Sequence, residues 1–282
     1  MKHTARPLGV SGARPAWRHL PSMLIAASFL ASCAAIPSGA PAREDDRGAY
    51  PRPTRLYHMR TDAAYVLDPG EVEVVVTGSY LDRPRDRVWS SELEAEYGIT
   101  DRLMVELGIP FRHYDRRLGR TDTGFGDLEV EAKLALFEEE ASAAAAGVEL
   151  KLPTADENAG LGSGHLGFEA FAATSFQAIE SSSTLHIEGG LEFVEGSGFD
   201  VAFGNAVVEK RLRGEGTALQ FGLNSKFGDG DLRLAVVPGF QIEWELGEGS
   251  RPKELEVGLG LPIGVTSESD DFGVVLMFEL EI

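Results

Sequence analysis

The chain has 282 residues, 45 acidic against 26 basic for a net charge of −19, 43% hydrophobic content and one cysteine. That acidity argues against nucleic acid and anionic lipid surfaces as partners, and one cysteine excludes an intramolecular disulfide. A mean hydropathy of −0.10 excludes a bundle of membrane helices.

The first predicted element is an export signal over residues 1–33. Lys2, Arg6, Arg14 and Arg18 form its basic start, Met23 to Leu30 its apolar run, and small residues follow. The segment holds four bases and no acid, so removing it takes the charge from −19 to −19 − 4 = −23. It ends on Leu30-Ala31-Ser32-Cys33, which resembles the lipobox of bacterial lipoproteins, with Cys33 as the lipidation site. Ordinary cleavage after Ala40-Pro41-Ala42 is the other reading. Residues 34–65, rich in Arg, Asp and Pro without periodicity, read as a flexible periplasmic N-terminal arm.

Residues 66–282 change character. Val72, Val74 and Val76 alternate with Glu71, Glu73 and Val75, and Trp89, Leu93, Ala95 and Tyr97 alternate with Ser90, Glu92, Glu94 and Glu96. Such period-two ladders signal strands. They recur at 102–112, 126–137, 143–152, 165–177, 183–193, 201–212, 217–227, 231–246, 253–263 and 271–282, which makes about twelve segments of about ten residues. The ladder at 201–212 is the faintest. The fold class expected is all-β, a closed antiparallel transmembrane barrel of about twelve strands.

The polar faces are dominated by Glu, the opposite faces by Leu, Val, Phe, Tyr and Trp. Slipping a strand by one residue would put its carboxylates in hydrocarbon. At about 1 kcal/mol each, a dozen misplaced Glu would cost on the order of 10 kcal/mol, a domain's whole stability. The Glu face therefore lines the lumen. The turns Gly98-Ile-Thr-Asp101 and Arg213-Gly-Glu-Gly216 are tight, whereas 113–124 and 153–164 are expected as long loops at the other, outer end. The last strand, Phe272 to Ile282, places Phe272, Val274, Leu276, Phe278, Leu280 and Ile282 on one face. It resembles the C-terminal strand by which bacterial barrels reach their assembly machinery, with Ile282 in place of the usual Phe.

Thr123-Gly-Phe-Gly-Asp-Leu128, Leu150-Lys-Leu-Pro-Thr154 and Gly160-Leu-Gly-Ser-Gly164 resemble, in order and spacing, the MetA-pathway of phenol degradation family. Leu67-Asp-Pro-Gly-Glu-Val72 and Tyr97-Gly-Ile-Thr-Asp-Arg102 are similar to its first strand and first tight turn. Ala155 departs from the family's Gly after Pro-Thr. The resemblance implies an outer-membrane barrel of about twelve strands with a transport role.

The residues expected to line the lumen are Glu92, Glu94, Glu96, Glu106, Glu129, Glu131, Lys133, Glu149, Lys151, Glu169, Glu188, Lys226, Arg233, Glu243, Glu254 and Glu256. Acids outnumber bases there, so a pore would favour cations, while any one Glu can equally be a solvated or ion-paired wall residue. Arg83, Arg85, Arg87, Arg112, Arg116, Arg117 and Arg120 fall in two outer loops, suited to lipopolysaccharide phosphates or to the interleaved Asp82, Asp86, Asp115 and Asp122. Tyr80, Trp89, Tyr97, Phe111, Phe193 and Trp244 sit where interfacial belts belong.

No catalytic residue, metal site or cofactor is expected. His58, His113, His165 and His186 form no HExxH and sit beside no cysteine pair. The residues two positions after them are Arg60, Asp115, Gly167 and Glu188, not the Ser that a barrel phospholipase motif places there. Gly162-Ser163-Gly164 lacks a nucleophile elbow.

The expected function is an outer-membrane channel or transporter for passive movement of small solutes, hydrophobic or aromatic compounds among them, through an acidic lumen. The alternatives are a non-conducting structural protein with a plugged lumen and a soluble lipid-binding barrel. Expected partners are outer-membrane lipid and lipopolysaccharide, the barrel assembly machinery and a small solute.

Overall fold

The computed structural model describes residues 64–82, 86–116, 120–139, 141–157, 159–178, 182–195, 200–212, 216–228, 231–246, 253–267, 269 and 272–282. The export signal with Cys33, the arm up to residue 63, His58, Arg83, Arg85 and Arg117 lie outside the described residues.

The strands are β1 (Val72–Asp82), β2 (Asp86–Thr100), β3 (Leu103–Arg116), β4 (Arg120–Phe125), β5 (Leu128–Glu139), β6 (Ser142–Leu152), β7 (Gly167–Ala178), β8 (Ser183–Val194), β9 (Asp200–Arg211), β10 (Thr217–Gly228), β11 (Asp231–Leu246), β12 (Lys253–Gly260), β13 (Ile263–Gly264) and β14 (Phe272–Glu281). Neighbours in sequence pair antiparallel, and β1 pairs β14, so the sheet closes on itself. Of the 14, β4 pairs only β3 and β13 is a two-residue bridge between β11 and β14, which leaves 14 − 2 = 12 strands in the wall. At the seam Val72 and Ile282 exchange backbone bonds, with 2.9 Å from Ile282 N to Val72 O. Closure satisfies the edge groups that an open sheet would expose to lipid.

The alternation dictates which face is wet. On β5, Val130, Leu134 and Leu136 are exposed on the outside, Leu134 at 47%, while Glu131 and Lys133 are buried within. Val76, Leu93, Leu107, Val148, Leu150, Phe168, Phe176, Phe221, Leu276 and Phe278 repeat the pattern around the barrel. A twelve-residue strand rising about 3.3 Å per residue and tilted about 40° spans on the order of 30 Å, enough for the apolar band of an outer membrane. A soluble lipid-binding barrel needs the opposite arrangement, with its apolar faces turned inward, and that expectation fails here.

One loop expectation is corrected. The stretch 113–124 is not a loop: β3 continues to Arg116 and β4 returns beside it, Phe111 facing Phe125 and His113 facing Thr123. A run of Arg and Asp masked a hairpin, because its charges sit on strands that rise beyond the band. The short β13 inside 261–271 was also not expected. The faint ladder at 201–212 is a full strand, β9, paired on both sides. We call the end carrying the Asp101–Arg102 turn and both ends of the barrel sequence the lower rim. The longest connections, 153–166 and 261–271, lie at the upper rim.

Candidate functional site

Register builds the inner surface. Glu281 on β14 pairs with Glu73 on β1, Glu73 with Glu96 on β2, Glu96 with Glu106 on β3, and Glu106 with Glu131 on β5. The same row continues through Glu149 on β6 and Glu169 on β7 to Glu192 on β8. Eight adjacent strands thus contribute one inward glutamate each to a single row. Because the strands tilt, the row climbs. It starts at the lower rim, where Glu73 follows the first residue of β1 and Glu281 ends β14, and it finishes near the upper ends of β7 and β8. With strands about 4.8 Å apart, seven steps cover on the order of 34 Å.

Bases meet the upper end of the row. Lys151 Nζ lies 3.2 Å from Glu149, 3.7 Å from Glu192 and 3.9 Å from Glu169. Lys226 Nζ donates to Glu192 at 2.8 Å. Opposite the row the wall carries amides as well as acids. Gln220 Nε2 donates to Glu209 at 3.0 Å and to Gln241 Oε1 at 2.8 Å, and Asn205 Nδ2 donates to Glu188 at 3.0 Å. Arg211 bridges Glu209 at 3.4 Å and Glu243 at 3.9 Å.

At the lower rim the chain enters the barrel before it forms the wall. Ala64 is buried against Ala143, Ala145 and Ala173, and Val66 against Met104 and Ala135. Ala64 N donates to Ser175 Oγ at 3.1 Å, and that hydroxyl is 2.9 Å from His186 Nδ1. Burial, with the Glu138 and Glu209 carboxylates nearby, pushes the Tyr65 phenol up to about 12. Ala64 and Tyr65, assigned from sequence to the arm, therefore belong to the barrel's inner packing, and residues 64–67 narrow its lower mouth. A turn then delivers the chain to β1. Gly70 has φ +84°, Gly70 N donates to Gly98 O at 2.8 Å, and a Cβ on Gly98 would sit 2.1 Å from the Asp68 carbonyl oxygen. Only glycine fits both places.

At the upper rim the loop 153–166 is drawn onto the inner side of β3 to β5. Buried Asp127 accepts from Ala155 N at 3.0 Å, Ser163 N at 2.8 Å and Ser163 Oγ at 3.1 Å. Leu128 N donates to Thr154 Oγ1 at 3.0 Å, and Arg112 Nη1 donates to Leu161 O at 3.4 Å. Leu161 is buried where a Cβ on Gly124 would reach it.

Of the residues expected in the lumen, Glu94, Glu96, Glu131, Lys133, Glu188 and Glu256 are buried on the inner face. Glu92, Glu106, Glu129, Glu149, Lys151, Glu169, Lys226, Glu243 and Glu254 are half-buried, and Arg233 is exposed near the upper end of β11. Sequence reading left out Glu73, Glu192, Glu209, Glu279 and Glu281, although each stands at an alternate position of a recognised ladder. It also left out Gln220, Gln241 and Asn205, whose type gives no signal alone. Trp89, Tyr97, Phe111, Phe193 and Trp244 are exposed outward, and the Tyr80 ring lies tilted against Trp89 with centroids 5.1 Å apart. Arg87 on β2 lies 3.9 Å from Asp82 on β1 and 4.0 Å from Asp115 on β3, so this arginine pairs with the neighbouring strands.

Closed register, an apolar exterior and a charged interior define a transmembrane β-barrel of the outer-membrane type. The family described as "Putative MetA-pathway of phenol degradation" matches residues 58–261, and the chain belongs to it. None of the curated proteins matches the sequence. Among solved structures, an outer membrane channel from Pseudomonas putida F1 superposes with a TM-score of 0.59 at 18% identity, covering 78% of this chain and 98% of that one. The KdgM porin has a TM-score of 0.49 at 7% identity over 74% of this chain and 97% of its own. The NanC porin has 0.49 at 11% over 73% and 98%. The first likeness supports the fold, and the two porins, below 0.5, carry no weight.

Proposed function

We propose that the protein is a passive outer-membrane channel for small solutes, with a lumen that favours positively charged ones. The observation that carries this is the eight-glutamate row. Like charges set directly opposite one another across strands destabilise a sheet, so folding alone gives no reason to place them on eight successive strands. Local rules broken at a shared surface mark function, and a carboxylate lining raises the local concentration of cations. Lys151 and Lys226 moderate the upper end, and Lys133 stands on the inner face of β5 two residues from Glu131.

The outward apolar stripe of Phe272 to Ile282 supports delivery by the barrel assembly machinery, and the exposed aromatic ends support seating in outer-membrane lipid. Aromatic solutes, which the family's description suggests, would gain nothing from the glutamate row unless they carry positive charge.

The buried segment 64–67 favours a second reading, a barrel that does not conduct. Planar-bilayer recordings in a KCl gradient separate the two. The intact barrel is expected to pass current with a cation-selective reversal potential. Triple replacement Glu106→Gln, Glu131→Gln, Glu149→Gln should move that potential toward zero, and deleting residues 64–67 should raise conductance. Silence from both the intact and the shortened barrel would establish the non-conducting reading instead.

A further inference from the structure

Five carboxylates gather on the lower wall beside the foot of the glutamate row. Glu256 on β12 pairs in register with Glu279 on β14 and with Glu243 on β11. Glu73 on β1 stands opposite Glu281, two residues from Glu279 on β14, and Glu209 on β9 shares Arg211 with Glu243. Arg211 answers Glu209 and Glu243. Glu256 is 3% exposed and its Oε1 makes no hydrogen bond, and Gln220 Oε1, in the amide pair bonded to Glu209, makes none either. Nε2 of Gln241 is the donor left over in the same group.

A carboxylate taken out of water among other carboxylates is costly unless something positive or a hydrogen-bond donor meets it. The orphaned Glu256 Oε1 asks for a ligand that donates N–H groups, while the orphaned Gln220 Oε1 stands two strands away on β10. Among the described residues no group of three or more His, Cys, Asp or Glu side chains could hold a metal ion. An ammonium group fits. It carries one positive charge and three donors that turn freely, and it needs no fixed coordination shell.

We infer that Glu256, with Glu243 and Glu279, forms a binding site for the primary ammonium group of a small organic solute, a holding point at the lower end of the lumen. Such a site makes amines the preferred solute class of the channel. The inference rests on the channel reading for how a solute arrives, but binding can be measured without any current.

The test is isothermal titration calorimetry on the full barrel refolded in detergent, with methylammonium chloride as probe and potassium chloride, ethanol and sodium acetate as comparisons. Methylammonium should give saturable heat, ethanol and acetate none, and potassium should compete only weakly. Glu256→Gln should weaken methylammonium by about tenfold, equivalent to ~1.4 kcal/mol, with the change in gel mobility on boiling showing that the variant is folded. If that variant does not fold, Glu243→Gln should weaken binding in the same direction. No saturable heat from the wild-type barrel, equal affinity in a folded variant, or equal binding of potassium would each overturn the assignment. Binding without conductance would sink the channel reading alone, and conductance without binding would sink the ammonium site alone.

Discussion

Tyr65 is the residue whose chemistry reports most directly on the lower mouth. Its phenol is neutral in place, held there by burial and by the carboxylates of Glu138 and Glu209, and ionises at about 12. The ordinary value is about 10. Because the seated value is the higher one, this contribution to seating is complete below about 10 and is lost as pH rises toward 12. A spectrophotometric titration should show one late tyrosinate that disappears in Tyr65→Phe. A titration curve unchanged by that replacement would place the ring in water. His186 is a second residue that sequence spacing could not read. Its partner Ser175 stands across the β7–β8 pair, eleven positions away in sequence. Its Nε2 has no hydrogen-bond partner to orient the ring, and Ser175 is engaged by Ala64, so the pair fastens the entering chain.

At the scale of elements, the five motifs that resemble the family resolve into two clamps. Leu67 to Val72 and Tyr97 to Arg102 meet at Gly98, where Gly98 N donates to Glu71 O at 3.1 Å. Thr123 to Leu128, Leu150 to Thr154 and Gly160 to Gly164 meet at Asp127. Ala155, the departure from the family pattern, uses only its backbone N–H there, which any residue but proline supplies. Asp127→Asn keeps the size but gives up the charge and one acceptor, a loss of about 1–3 kcal/mol. It should free the loop 153–166, seen as faster proteolytic nicking within that loop while the boiled and unboiled gel mobilities stay distinct. Equal nicking rates would show that the loop is held elsewhere. The strands themselves were legible because period two is a property of consecutive residues: Leu134 outside and Lys133 inside follow from adjacency alone. Asp127 gave no such sign, since its partners lie 28 and 36 residues ahead. The β3–β4 hairpin was missed because a strand that leaves the apolar band no longer needs an apolar face.

For the whole molecule, closure fixes what no single strand can. The register along the glutamate row from β14 through β1 to β8 is unbroken, the shifts at Gly98/Thr100 and Ala135/Phe137 falling outside it, so a slip within the row would break the line of glutamates and send alternate side chains into lipid. That line was not foreseen, because the partner of Glu73 at the far end of the sequence, Glu281, is chosen by the barrel and not by its neighbours. The seam also gives the inner charge a thermodynamic signature. Carboxylates held about 4.8 Å apart repel, whereas each exists nearly alone in an unfolded chain. Dissolved salt shortens the reach of such repulsion from about 30 Å at ~0.01 M to about 3 Å at ~1 M. The temperature at which the fast-migrating folded form is lost should therefore climb with NaCl, and a falling temperature would mean that the ion pairs of Lys151, Lys226 and Arg211 dominate. On that expectation a barrel of this charge should suit brine, resisting unfolding best in surroundings where most ion-paired proteins begin to loosen.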